Sequence, residues 1–122
     1  MKILIVEDSE DRMMFFKQVF SECHLKFSSN SGEAISLIDK ESFDLIFLDM
    51  DLEDGFGRGF DVAIRLKKGQ NAYSIVVVHS MNIAVAERVG KILPGTQMIP
   101  IVELRRIVDQ YGKERLFEIL FE

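Results

Sequence analysis

Apolar and polar positions along the chain fall into short unbroken apolar runs separated by amphipathic stretches. Ile3, Leu4, Ile5 and Val6 form one such run, closed by Glu7 and Asp8, as expected of a strand buried on both faces in a parallel sheet. From Ser9 or Glu10 to position 20, Met13, Met14, Phe16, Val19 and Phe20 mark one side of a helix. A weak strand is predicted at residues 25–28. Asn30 or Ser31 caps the next helix, where Glu33 completes a box-like start and Ala34, Ile35, Leu37 and Ile38 form the buried side. Residues 43–48 carry the strongest strand pattern, broken only by Asp44 and delivering Asp49 and Asp51 at its end. A Gly-containing loop over 53–59 leads into a helix at 60–68. Residues 74–78 are β-branched and predict a fourth strand that ends in His79 and Ser80. Asn82 caps a helix running to about Leu93, stopped by Pro94 and Gly95. Residues 98–101 are the fifth strand, which Pro100 confines to an edge or terminates. From Val102 onward the pattern is amphipathic helix, broken near Gly112.

Strands alternating with helices over short links predict an α/β fold, because parallel neighbours need right-handed crossovers. The expected architecture is a doubly wound (βα)5 unit, a parallel five-stranded sheet of order 2-1-3-4-5. With 122 residues, 48% of them apolar and ten Phe, the chain has the size and the core for one domain spanning 1–122. Its formal charge of -5 disfavours nucleic acid and anionic membrane as partners. The opening apolar run is too short for a signal peptide or a span. The lone Cys23 reads as a buried free thiol in a reducing, cytoplasmic setting, and His24, without polar company, as structural.

Doubly wound sheets bind ligands beyond the carboxyl ends of their strands, and every unusual polar residue here falls at such an end. In the order 2-1-3-4-5 the first and third strands lie about 4.8 Å apart, so Glu7, Asp8, Asp49 and Asp51 converge. Two such charges about 5 Å apart repel by roughly 3 kcal/mol at an effective dielectric near 20. They must take up protons, spread into water or bind a cation. Oxygen-only donors with room for water and phosphate favour Mg²⁺ or Mn²⁺ over a caged Ca²⁺. Ser80, ending the neighbouring strand, can donate to a phosphoryl oxygen. Strand alternation sends His79 the other way, leaving its imidazole either structural or an acid/base or ligand group.

These residues resemble the flavodoxin-like receiver domains of two-component response regulators, across the whole chain. Three segments carry the likeness: Ile3 through Asp8, Asp44 through Asp49, and Val76 through Ser80. The resemblance implies that Asp49 accepts a phosphoryl group and that Glu7 and Asp8 serve the metal. It also implies a metal ligand from the main chain of Asp51, with Ser80 as the hydroxyl residue. Partners would then be a sensor histidine kinase or small phosphodonor and a downstream protein. The pattern departs from the family in two places. Receivers carry a Lys before the fifth-strand Pro, where this chain has Ile99, and the loop after Asp49 is longer, its Arg58 being either a replacement cation or an ordinary surface residue. A more specific likeness, through Gly59-Phe60-Asp61-Val62-Ala63, His79 and Asn82, is to a divergent receiver branch proposed to process cyclic phosphates. That branch commonly has His where Met50 stands. Three functions therefore stay open: signalling by phosphorylation, metal-dependent hydrolysis of a cyclic phosphate, and partner binding alone. The third would use Leu116, Phe117, Ile119, Leu120 and Phe121 as a docking or homodimer face, or those residues simply cover the sheet.

Overall fold

The computed structural model describes residues 1–122. In chain order the elements are β1 (Lys2–Val6), α1 (Glu10–Val19), β2 (His24–Ser28), α2 (Ser31–Lys40), β3 (Leu45–Leu48), α3 (Gly59–Lys68), β4 (Ile75–Val78), α4 (Ile83–Ile92), β5 (Gln97–Met98), α5 (Ile101–Tyr111) and α6 (Lys113–Leu120). The strands form one five-stranded sheet of order β2-β1-β3-β4-β5, parallel at every pairing.

Alternation along the central strands divides the core in two. Leu4 and Val6, Ile46 and Leu48, Val76 and Val78 point to one face, where α2, α3 and α4 pack with Ala34, Val62 and Val89. Ile3 and Ile5, Leu45 and Phe47, with Val77, point to the other, where α1, α5 and α6 contribute Phe16, Phe20, Leu104, Leu116 and Leu120. Cys23 is half-buried and packs against this second core, while His24 is exposed.

Asn30 and Asn82 cap their helices as predicted, and Ser9 does the same for α1. Ser9 Oγ accepts from the Arg12 amide, Asn30 from that of Glu33 and Asn82 from that of Val85, each occupying a donor that the first turn leaves free. Asp54 adds a second cap on α2, accepting from the Ser31 amide and hydroxyl.

The fifth strand differs from the predicted 98–101. It pairs only at Gln97 and Met98. Pro100 has no amide for the ladder and its carbonyl already accepts from Leu104, so α5 begins at Ile101. The predicted break near Gly112 separates α5 from a distinct sixth helix: Gly112 has φ 88, a conformation that favours glycine. Leu116 and Leu120 of α6 are buried, so most of the terminal apolar face covers the sheet.

Candidate functional site

The register of the sheet builds the site. Val6 pairs with Leu48 and Leu48 with Val78, so one step further Glu7, Asp49 and His79 stand abreast on three adjacent strands. The amide of Asp49 donates to Val6 O at 3.0 Å and that of His79 to Leu48 O at 3.2 Å, which keeps the row in register beyond the strands. Glu7 continues the parity of Ile3 and Ile5, and Asp49 that of Leu45 and Phe47, so both turn toward the α1 and α5 face. Potential ligand atoms of Glu7, Asp49 and His79 lie within 4.8 Å of one another.

Glu7 is the anchor of the row. Fully buried, it accepts from the amides of Asp8 and Ser9 at 3.0 Å each and from His79 Nε2 at 2.8 Å. Burial alone would raise its pKa, but the hydrogen bond from His79, the Ser9 amide and the Arg12 charge together bring it below the usual value. His79 is 0% exposed, edge-on to the Phe16 and Phe47 rings, and its Nδ1 has no partner.

Asp49 behaves differently. It is 5% exposed and accepts from the Met50 amide at 2.8 Å. Burial first, and the Glu7 charge beside it, push its pKa up to about 6 against the partial opposition of neighbouring His79, then the Met50 amide and Arg12. Asp8, an exposed residue, is also raised, by desolvation and then by Glu7. Three acids sharing a rim thus hold their protons more or less tightly according to the donors each has found.

Above the row lies a cleft of about 730 Å³, lined by Asp8, Arg12, Asp49, Asp51, Ser80 and Asn82, with Leu52, Phe56 and Met81 among its apolar parts. Ser80 Oγ accepts from the Asn82 amide at 3.2 Å, leaving its hydroxyl proton free to donate. Asn82 commits its side-chain oxygen to capping α4. Asp51 Oδ1 accepts from the Gly57 amide at 3.1 Å, so its carboxylate braces the loop while its carbonyl is not so engaged. Gly59 lets that loop close: a Cβ there would lie 2.4 Å from Asp49 O and 2.7 Å from Met50 Cα.

Among the candidate residues read from the sequence, Asp8, Asp49, Asp51, Ser80 and Asn82 line this one cleft, and Glu7 lies beneath it. Two fall elsewhere. His79 is turned into the core against Glu7. Arg58 is exposed and donates to Asp61 at 3.1 Å, one helical turn away, so the local carboxylate holds it outside the cleft. The cation that does reach the acids is Arg12, 3.6 Å from Glu7 Oε1 and 3.5 Å from Asp49 Oδ2, which the sequence reading overlooked. The available signal was its position: a cation in the first turn of a helix opposes the helix dipole and asks for another reason to be there.

An acidic pair at the end of β1, an acid at the end of β3 and a hydroxyl at the end of β4, on a sheet of order 2-1-3-4-5, are the features named above for receivers. Residues 3–92 match the profile of the response regulator receiver domain. The chain belongs to that family. Among solved structures, the signal receiver domain of a putative Luxo repressor protein from Vibrio parahaemolyticus is 22% identical, with TM-score 0.68, covering 99% of this receiver and 96% of that chain. The phosphorylated cyanobacterial phytochrome response regulator RcpA is 20% identical with TM-score 0.70, covering 98% and 87%. The response regulator TrrA from Thermotoga maritima, solved with Mg²⁺ and BeF, is 18% identical with TM-score 0.66, covering 89% and 96%. At these identities the neighbours establish the fold. Among curated proteins none matches this receiver significantly. No helix in it is long and apolar enough to cross a membrane.

Proposed function

We propose that this receiver accepts a phosphoryl group on Asp49 in the presence of Mg²⁺ and passes the change to a downstream protein. The observation that carries this reading is the position of Asp49. Its carboxylate lies at the floor of the cleft, with Asp8 and Ser80 along the same walls. The donor set fits a hard divalent ion: carboxylate oxygens of Asp8 and Asp49 and the carbonyl of Asp51, with Glu7 beneath. His79 Nε2 is already taken by Glu7 and is a poor match for Mg²⁺. The ion would supply neutralisation of phosphoryl oxygens among the carboxylates.

In the transfer, a carboxylate oxygen of ionised Asp49 forms a bond to phosphorus as the bond from phosphorus to the donor's leaving atom breaks. The leaving group departs with that electron pair, and no proton need move from Asp49. The Ser80 hydroxyl can then donate to an oxygen of the new acyl phosphate. A histidine kinase or a small phosphodonor such as acetyl phosphate would serve as the source. The structures of relatives with a phosphorylated aspartic acid or with Mg²⁺ and BeF support the reading by analogy.

Hydrolysis of a cyclic phosphate draws support from the width of the cleft and from Phe56, 92% exposed at its mouth. Against it stands His79, whose imidazole faces the core. The test is incubation with Mg²⁺ and acetyl phosphate, read by intact mass, beside 2′,3′-cyclic nucleotides followed for turnover. The expected result is one phosphate adduct that is lost in Asp49→Asn, with no turnover. Turnover without an adduct would replace this reading with the hydrolytic one.

A further inference from the structure

Counting charge in the cleft leaves a deficit that the proposed function must resolve. A phosphoryl group adds negative oxygens to a site already bordered by Asp8, Asp49 and Asp51, with Glu7 beneath. Extending the β4–β5 register by one residue puts Ile99 in the row beside His79, so its outermost place carries no charge. Ile99 packs into the second core instead. Other cations on nearby elements are engaged elsewhere: Arg58 with Asp61, Arg88 over the Phe60 ring, and Arg105 with Asp11.

Arg12 is the only basic side chain lining the cleft. The cap on α1 explains its aim, because Ser9 Oγ fixes the Arg12 amide at 3.4 Å and holds the first turn of the helix over the row. The guanidinium is 29% exposed and stands at 3.5 to 3.6 Å from two different carboxylates, beyond ideal hydrogen-bond length to either. It is a counter-ion in place without being locked. A divalent ion binding those oxygens would repel it, and a phosphoryl group would offer planar, forked recognition that suits a guanidinium.

We propose that Arg12 is a built-in counter-ion that yields Glu7 and Asp49 to the divalent ion and then pairs with the phosphoryl oxygens on Asp49. The cation is thus delivered by the first helix, with no contribution from the fifth strand. The assignment rests on the phosphoryl-acceptor reading for its second half. Its first half, competition with the metal, stands without that reading.

The test uses the full chain with Arg12→Gln and Arg12→Lys, titrated with Mg²⁺ alone and then with beryllofluoride at saturating Mg²⁺, by calorimetry. Arg12→Gln should bind Mg²⁺ at least about threefold more tightly and beryllofluoride at least about tenfold more weakly, with Arg12→Lys between. The two effects have opposite signs, which general misfolding cannot produce. Mg²⁺ binding that is unchanged or weaker, or beryllofluoride affinity within twofold of the parent, overturns the assignment. If the parent binds Mg²⁺ yet takes neither beryllofluoride nor acetyl phosphate, the acceptor reading fails and the phosphoryl half fails with it. The Mg²⁺ comparison then still decides the competition half.

Discussion

At the scale of single residues, the site depends on two buried acids held in opposite protonation tendencies a few ångströms apart. Asp49 titrates at about 6 in the folded chain against an ordinary 3.8, so the folded state holds that proton more tightly than the unfolded one. Its contribution to stability therefore falls as pH rises between about 4 and 6, and above that the penalty is constant. Asp49→Asn should raise metal-free stability at pH 7 by about 1–3 kcal/mol and remove that slope, as measured by urea unfolding in chelator across pH 4 to 8. Glu7 runs the other way: lowered in the fold, it stabilises at neutral pH and loses that contribution as pH drops through its range. The Glu7 carboxylate also relies on His79 Nε2 as a buried donor. His79→Ala removes that donor and opens a cavity between Phe16 and Phe47, so unfolding free energy should fall by about 2–4 kcal/mol, read by the same denaturation. An exposed catalytic imidazole would produce almost no such loss.

At the scale of elements, the loop at 53–59 and the start of α3 hold the cleft open on one side. Gly59→Ala would force backbone apart, because the new methyl meets Asp49 O and Met50 Cα and neither is a flexible side chain. The expected cost is about 1–3 kcal/mol together with weakened Mg²⁺ binding, checked by chemical denaturation and by calorimetric titration. The strands and helices themselves were legible where local chemistry decides: Asn30 and Asn82 were readable as caps, and each accepts an amide as its residue type predicts. Pro100 does confine the fifth strand to an edge, but the strand stops at Met98, short of the expected 101, because Pro100 opens α5. The apolar run at 98–101 thus serves two elements, and composition does not say where one stops.

At the scale of the whole molecule, the topology was legible because unbroken apolar runs alternate with amphipathic ones, and β1, β3 and β4 are the runs that became central. The convergence of Asp8, Asp49, Asp51 and Ser80 followed from that order. The Glu7 and His79 contact did not, since it spans 72 positions and depends on parity at three strand ends at once. Arg12 was overlooked for a related reason: its guanidinium meets the acids only after α1 folds back over the sheet. With a net charge of -5 and its acids gathered at one end of the sheet, the folded chain should gain stability from a divalent ion that its unfolded form binds poorly. Mg²⁺ at a hundred times its dissociation constant should add about 2.7 kcal/mol, seen as a rise in Tm that Asp49→Asn and Asp8→Asn each diminish.

The hydrogen bond from His79 to Glu7 has a mechanical corollary. It ties the end of β4 to the end of β1 across β3, and Glu7 in turn grips the two amides that precede α1, a helix itself tethered to α5 by Arg105 and Asp11. Any displacement of the β4 end would therefore be felt at the start of α1 through a polar contact, whereas Ile99, packed in the core, offers the outer rim only apolar contact.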